Sequence, residues 1–246
     1  MSVLDKNGKV MILAYDQGFE HGPVDFDEKN VDPKYIMEIA KNGFFTGVVF
    51  QEGVAARYYE KDCGVPLIVK LNGKTSFYSE EPLSLQLCTV DKAIELGAKA
   101  VGYTIYVGSE HEEQMLVEFS RIEDEAHAKG LEVIAWMYPR GSKVAGRESE
   151  RDTVAYGARL GLELNADFVK VPYTGDPESF NWVVRAAGKT GVLAQGGMKT
   201  DWENLEEEVA GVMKAGAKGI AIGRNVWQHE NPTEISKKLS EIVFGF

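Results

Sequence analysis

Short apolar runs rich in Val, Ile and aromatic residues alternate along this chain with segments whose apolar residues recur at helical spacing, and that alternation limits the fold more than any other feature. Eight such runs can be counted, at 10–16, 47–51, 67–71, 100–106, 132–138, 168–173, 191–194 and 219–223. Three of the passages into a run repeat one junction: Leu96-Gly97-Ala98-Lys99-Ala100-Val101, Leu164-Asn165-Ala166-Asp167-Phe168-Val169 and Ala215-Gly216-Ala217-Lys218-Gly219-Ile220. Each reads as a helix stop followed at once by a strand start. Helix starts are equally legible. Asp32-Pro33 and Asp176-Pro177 pair a capping aspartate with a first-turn proline, Ser109 with Glu112 and Thr200 with Glu203 fit the capping box, and Ser149 with Asp152 is a weaker version.

Near-continuous apolar strands joined by helices imply a parallel sheet covered on both faces, and eight such units in 246 residues match a closed (β/α)8 TIM barrel. An open doubly wound sheet is the alternative. No linker-like or low-complexity tract interrupts the sequence, so residues 1–246 read as one α/β domain, with 72–86 as a long loop after the third strand. Acidic residues outnumber basic ones 38 to 27, and the formal charge of −11 argues against a nucleic-acid partner. No apolar run is long enough for a bilayer, and the polar start lacks the apolar core of a signal peptide, so the expectation is a cytoplasmic protein with no membrane partner. Two cysteines and four scattered histidines show no metal-ligand spacing, so neither a metal nor a cofactor is expected.

In a barrel the chemistry sits where the strands end. Asp16 ends the first run, Lys70 lies late in the third, Tyr138 and Arg140 end the fifth, and Lys170 lies inside the sixth. A lysine among apolar neighbours points into the barrel and loses proton affinity by desolvation, which provides the neutral amine of a Schiff-base nucleophile. Spacing alone does not rank Lys170 above Lys70. Gly196-Gly197 and Gly223-Arg224 follow the seventh and eighth runs, where glycine backbones and an arginine suit a phosphate; tight-turn geometry would also explain the glycines. Asp16 can orient a lysine or a substrate hydroxyl, and Tyr138 near an iminium would transfer a proton through a depressed pKa. His111 and His127 fall on the outer ring as surface residues.

Several of these stretches resemble the archaeal-type class I fructose-1,6-bisphosphate aldolases: Asp16-Gln17-Gly18-Phe19-Glu20-His21-Gly22-Pro23, Met137-Tyr138-Pro139-Arg140-Gly141, Val169-Lys170-Val171-Pro172-Tyr173-Thr174-Gly175-Asp176 and Ile222-Gly223-Arg224-Asn225-Val226-Trp227-Gln228. The resemblance implies a barrel, a metal-free lysine Schiff base with a phosphorylated sugar, and a homo-oligomer. It places the imine on Lys170 rather than Lys70, the proton shuttle on Tyr138 and substrate-hydroxyl contacts on Asp16. It also puts His21 and Arg140 in the site's lining, and Gly196, Gly197, Gly223 and Arg224 at a phosphate. Gln195 and Met198 depart from the family's usual residues beside the glycines. Relatives with similar motifs include a transaldolase-like synthase and a thiolase acting on a phosphorylated dione. A sugar-phosphate isomerase or binding barrel without covalent chemistry would share only the phosphate loop.

Overall fold

The computed structural model describes residues 2–77 and 81–245. Its eight barrel strands are β1 (Val10–Ala14), β2 (Gly47–Gln51), β3 (Leu67–Lys70), β4 (Ala100–Val107), β5 (Glu132–Pro139), β6 (Phe168–Val171), β7 (Gly191–Gln195) and β8 (Gly219–Ile222). The helices that follow them in turn are α1 (Pro33–Ala40), α2 (Glu52–Tyr58), α3 (Val90–Glu95), α4 (Glu112–Ala128), α5 (Arg151–Glu163), α6 (Pro177–Ala186), α7 (Trp202–Lys214) and α8 (Pro232–Phe244). Every strand pairs in parallel with its sequence neighbours, and β8 closes on β1, so the open-sheet alternative is excluded. Four expected strands are shorter than their apolar runs, β3 and β8 by one residue and β1 and β6 by two. β6 stops before Pro172, which has no N–H for the ladder, and β1 stops two residues before Asp16.

The thrice-used junction is one hydrogen-bonded motif. Gly97, Asn165 and Gly216 have φ of +90°, +58° and +91°. The next N–H in each case reaches back to the helix: Ala98 to the carbonyl of Ala93, Ala166 to Gly161 and Ala217 to Val212. The residue after that joins the preceding strand, Lys99 to Leu67, Asp167 to Val133 and Lys218 to Val192. A fourth copy, at Gly130, Leu131 and Glu132 after α4, has a weaker sequence signature.

Among the helix starts, Asp32 and Asp176 cap as expected. The start of α7 is capped by Asp201 rather than Thr200, whose N–H is taken by Asn225. α5 has Glu150 at its N-cap without a side-chain cap, and α4 begins after Ser109, whose hydroxyl turns to His111 N–H and the carbonyl of Pro82. The 72–86 loop is pinned at both ends by a two-residue antiparallel pair, Asn72–Gly73 with Leu85–Gln86; residues 78–80 of that expected loop lie outside the described residues. His127 corrects the surface assignment: it is half-buried, with Nδ1 2.5 Å from Glu123 and Nε2 2.8 Å from Asp167, and it ties α4 to the foot of β6. No helix among the described residues is long and apolar enough to cross a membrane.

Two cores result. Outward-facing strand residues pack under the helices, while Leu4, Val10, Ile12, Val49, Ile68, Ile134, Trp136, Phe168 and Leu193 fill the barrel itself. Trp136 is, with Trp227, among the largest fully buried side chains, and it fits because Gly102 on the neighbouring β4 has no Cβ: a methyl there would overlap the indole. Gly102→Ala should therefore destabilise the fold by about 1–3 kcal/mol through overpacking. An unchanged midpoint in urea unfolding would show that the ring has room to move.

Candidate active site

Side chains alternate along a strand, so the next inward position above the interior core lies at the strands' C-terminal ends. On β5 the inward series is Ile134, Trp136, Tyr138; on β6 it is Phe168, Lys170; on β3, Ile68, Lys70. Those upper residues line a cavity of about 260 Å³. Asp16, His21, Tyr138, Arg140, Lys170, Gly196, Gly197, Gly223 and Arg224, read from separate stretches of sequence, all line it.

Lys170 is buried, 6% exposed, and its Nζ lies 5.3 Å from the centre of the Trp136 ring. Burial is the main force lowering its pKa, to about 8; the charge of Asp16 opposes the shift, and the charges of Lys70 and Arg224 add to it. Lys70 is just as buried and sits 5.3 Å from the same ring, with Nζ 3.5 Å from Asp16 Oδ2. The two amines thus differ in partner. Lys70 has an adjacent carboxylate, whereas Lys170 faces the cavity with like charges nearby and an amine that loses its proton at about pH 8.

Tyr138 departs from expectation in one respect. Burial, reinforced by the charge of Asp16 and opposed by that of Arg140, raises its phenol well above the ordinary value. Tyr138 therefore holds its proton and is a donor, not the depressed phenol expected from sequence. Arg140 lies over the Tyr138 and Tyr106 rings at 5.6 and 5.8 Å and donates to Glu20 Oε1 at 2.7 Å. Tyr106 donates to the same oxygen at 3.1 Å, and Lys74 lies 6.0 Å from the Tyr106 ring. This side of the cavity, by β4 and β5, carries the cations Arg140 and Lys74, and Arg224, after β8, lies on the far side of the barrel.

At that far side, Gly196 is required because a Cβ would press on Ile222, and Gly223 because it would press on the carbonyl of Ala14. Packing thus accounts for these two glycines, and the anion-binding argument rests on what surrounds them. Arg224 donates to the Gly197 carbonyl at 3.0 Å, and Asn225 staples the loop by donating to Gly196 and Met198 carbonyls at 2.6 and 3.0 Å. Met198 is 77% exposed at the mouth, and Gln195 lines the cavity.

Sequence reasoning passed over Glu20, Gln51, Lys74, Thr104, Tyr106 and Asn225. For Gln51, Thr104, Tyr106 and Gln195 a signal was present: each follows its strand's inward-facing residues at even spacing. Lys74 sits in an irregular loop and had none.

A family model described as DeoC/LacD family aldolase matches residues 10–229. A fructose-bisphosphate aldolase class 1 from Thermoproteus tenax is 49% identical, with 100% of this chain and 93% of the relative covered. A fructose-bisphosphate aldolase/6-deoxy-5-ketofructose 1-phosphate synthase from Methanocaldococcus jannaschii is 36% identical over 100% of this chain and 83% of its own length. Among solved structures, an archaeal fructose-1,6-bisphosphate aldolase whose catalytic lysine is covalently bound to the carbinolamine intermediate superposes with a TM-score of 0.95, at 48% identity over 99% of this chain and 97% of the other.

Proposed function

This chain belongs to the DeoC/LacD family of aldolases, and from that membership we propose that Lys170 is the Schiff-base lysine of a class I fructose-1,6-bisphosphate aldolase. The reaction is the reversible cleavage of that ketose into dihydroxyacetone phosphate and glyceraldehyde 3-phosphate. The observation that carries the assignment is the buried Lys170 amine, brought down to about 8 at the floor of a cavity with cations on two sides.

Breaking the C3–C4 bond leaves an electron pair on C3 that needs a sink. The neutral Lys170 amine attacks C2, the carbinolamine loses water, and the resulting iminium accepts the pair as an enamine. Asp16 accepts a hydrogen bond from a substrate hydroxyl, beside Lys70. Tyr138, protonated at rest, supplies a proton to C3 of the enamine and recovers one through solvent from Asp16, which takes the C4 hydroxyl proton as the C3–C4 bond breaks. Arg224 and the 196–197 loop hold one phosphate, and Arg140 with Lys74 faces the other, so binding energy from both ends fixes C2 over the amine. The protein is expected to act in the cytoplasm as a homo-oligomer. Its two cysteines, Cys63 and Cys88, are free, and Tyr156 of α5 and Trp182 of α6 offer exposed aromatic surface.

The test is borohydride reduction in the presence of dihydroxyacetone phosphate, followed by peptide mass mapping. A single adduct on Lys170 is expected, and its rate of formation should climb with pH to a half-maximum near 8, as the amine loses its proton. Cleavage of fructose 1,6-bisphosphate should continue in excess EDTA. Activity lost to EDTA and restored by Zn²⁺, with no adduct, would overturn the assignment.

A further inference from the structure

His21 and Arg224 reach the cavity from opposite ends of the chain, one from the turn after β1 and the other from the turn after β8. One carboxylate joins them. Asp25 Oδ2 lies 2.6 Å from His21 Nδ1 and 3.7 Å from Arg224 Nη1, and Asp25 is not among the residues that line the cavity. Asp25 is itself tethered to the second turn, because its backbone carbonyl accepts a hydrogen bond from Gln228 Nε2 at 2.6 Å. Arg224 is fixed by its other arm to the Gly197 carbonyl at 3.0 Å.

A carboxylate beside a phosphate site repels the ligand, so its presence calls for a compensating gain. The geometry supplies one. With Nδ1 engaged by Asp25, the imidazole has one ring orientation and Nε2 is the nitrogen left for the cavity. The guanidinium, held between Asp25 and Gly197, loses rotamer freedom before any ligand arrives. That entropy would otherwise be lost on binding.

We propose that Asp25 is a positioning residue for phosphate recognition, setting His21 and Arg224 to face one phosphoryl group of the substrate. The proposal rests on the aldolase assignment above and adds two points to it: His21 serves the same phosphate as Arg224, and the two are preset by a residue that never touches substrate.

The test compares capture of dihydroxyacetone phosphate with capture of dihydroxyacetone, which forms the same imine without a phosphate, by borohydride trapping over a concentration series. Asp25→Ala should raise the half-saturating concentration of the phosphorylated ligand about ten-fold or more, the scale of one hydrogen bond to a charged group. The value for dihydroxyacetone should move far less. With fructose 1,6-bisphosphate, the loss should appear mainly in KM. Asp25→Asn keeps an oxygen that accepts from His21 Nδ1–H and should restore most of the phosphate preference. If Asp25→Ala does not fold, Asp25→Glu serves, since the longer arm displaces both partners while keeping the charge, and the preference should fall likewise. An unchanged or tighter affinity for dihydroxyacetone phosphate, or equal losses for both ligands, would overturn the proposal. A wild-type protein that forms the imine equally well with both ligands would instead overturn the phosphate site itself, and the role of Asp25 with it.

Discussion

Lys170→Met is expected to abolish both cleavage and the trapped adduct while raising the melting temperature. The lost activity follows because the other amine against the same indole, Lys70, is engaged by Asp16 at 3.5 Å. The gain in stability follows from linkage. Lys170 titrates near 8 in the folded chain and near 10.5 when exposed, so between those values the unfolded state binds more protons. The cost of burying the ammonium is present in full below about pH 8, shrinks as pH rises, and is gone above the unfolded value. Its scale is on the order of 3 kcal/mol at pH 7. An apolar side chain of similar length removes that cost and relieves Lys70 and Arg224 of a like charge. Thermal melts should therefore show the variant more stable at pH 7, with the difference fading towards pH 10.5. An adduct found on Lys70, or a melting point below the wild type at pH 7, would defeat this account.

The same contrast explains which parts of the site could be read from the sequence. The barrel was legible because helix stops and strand starts are local, and Gly97, Asn165 and Gly216 are residue types that tolerate the positive φ each junction demands. Lys170 was legible as an oddity among apolar residues, and so was Lys70. What separates them is Asp16, which lies 54 residues from Lys70 in the chain and beside it in space. Likewise, Gly102 gives no hint of its purpose until Trp136 is seen to occupy the space it leaves. The direction of the Tyr138 shift differs from the sequence expectation because that expectation sets the phenol beside a charged intermediate, whereas the fold surrounds it with protein and the carboxylates of Asp16 and Glu20. Asn225 was quoted within its motif without a role, since its two carbonyl partners lie in the loop after β7.

Tyr138→Phe should then separate imine formation from turnover. The ring remains under Arg140, and the inward packing above Trp136 is unchanged, so the fold and the Lys170 amine should persist. What disappears is one acidic proton. In the resting site that proton is held firmly, because burial raises the phenol, and the nascent iminium on Lys170, whose Nζ lies 6.0 Å from the ring centre, supplies the positive charge that makes its transfer favourable. Removing a general acid of this kind costs about 10² to 10⁴-fold in rate. Tyr106 is no substitute, although it sits directly opposite in the β4–β5 register, because its hydroxyl is committed to Glu20 at 3.1 Å. The variant should still yield the borohydride adduct of dihydroxyacetone phosphate on Lys170, while exchange of the C3 proton with solvent, followed by NMR in D₂O, slows with cleavage. Turnover at the wild-type rate would remove Tyr138 from the proton path. Loss of adduct and turnover together would place it earlier, at dehydration of the carbinolamine, where the same phenol would be needed before any C–C bond breaks.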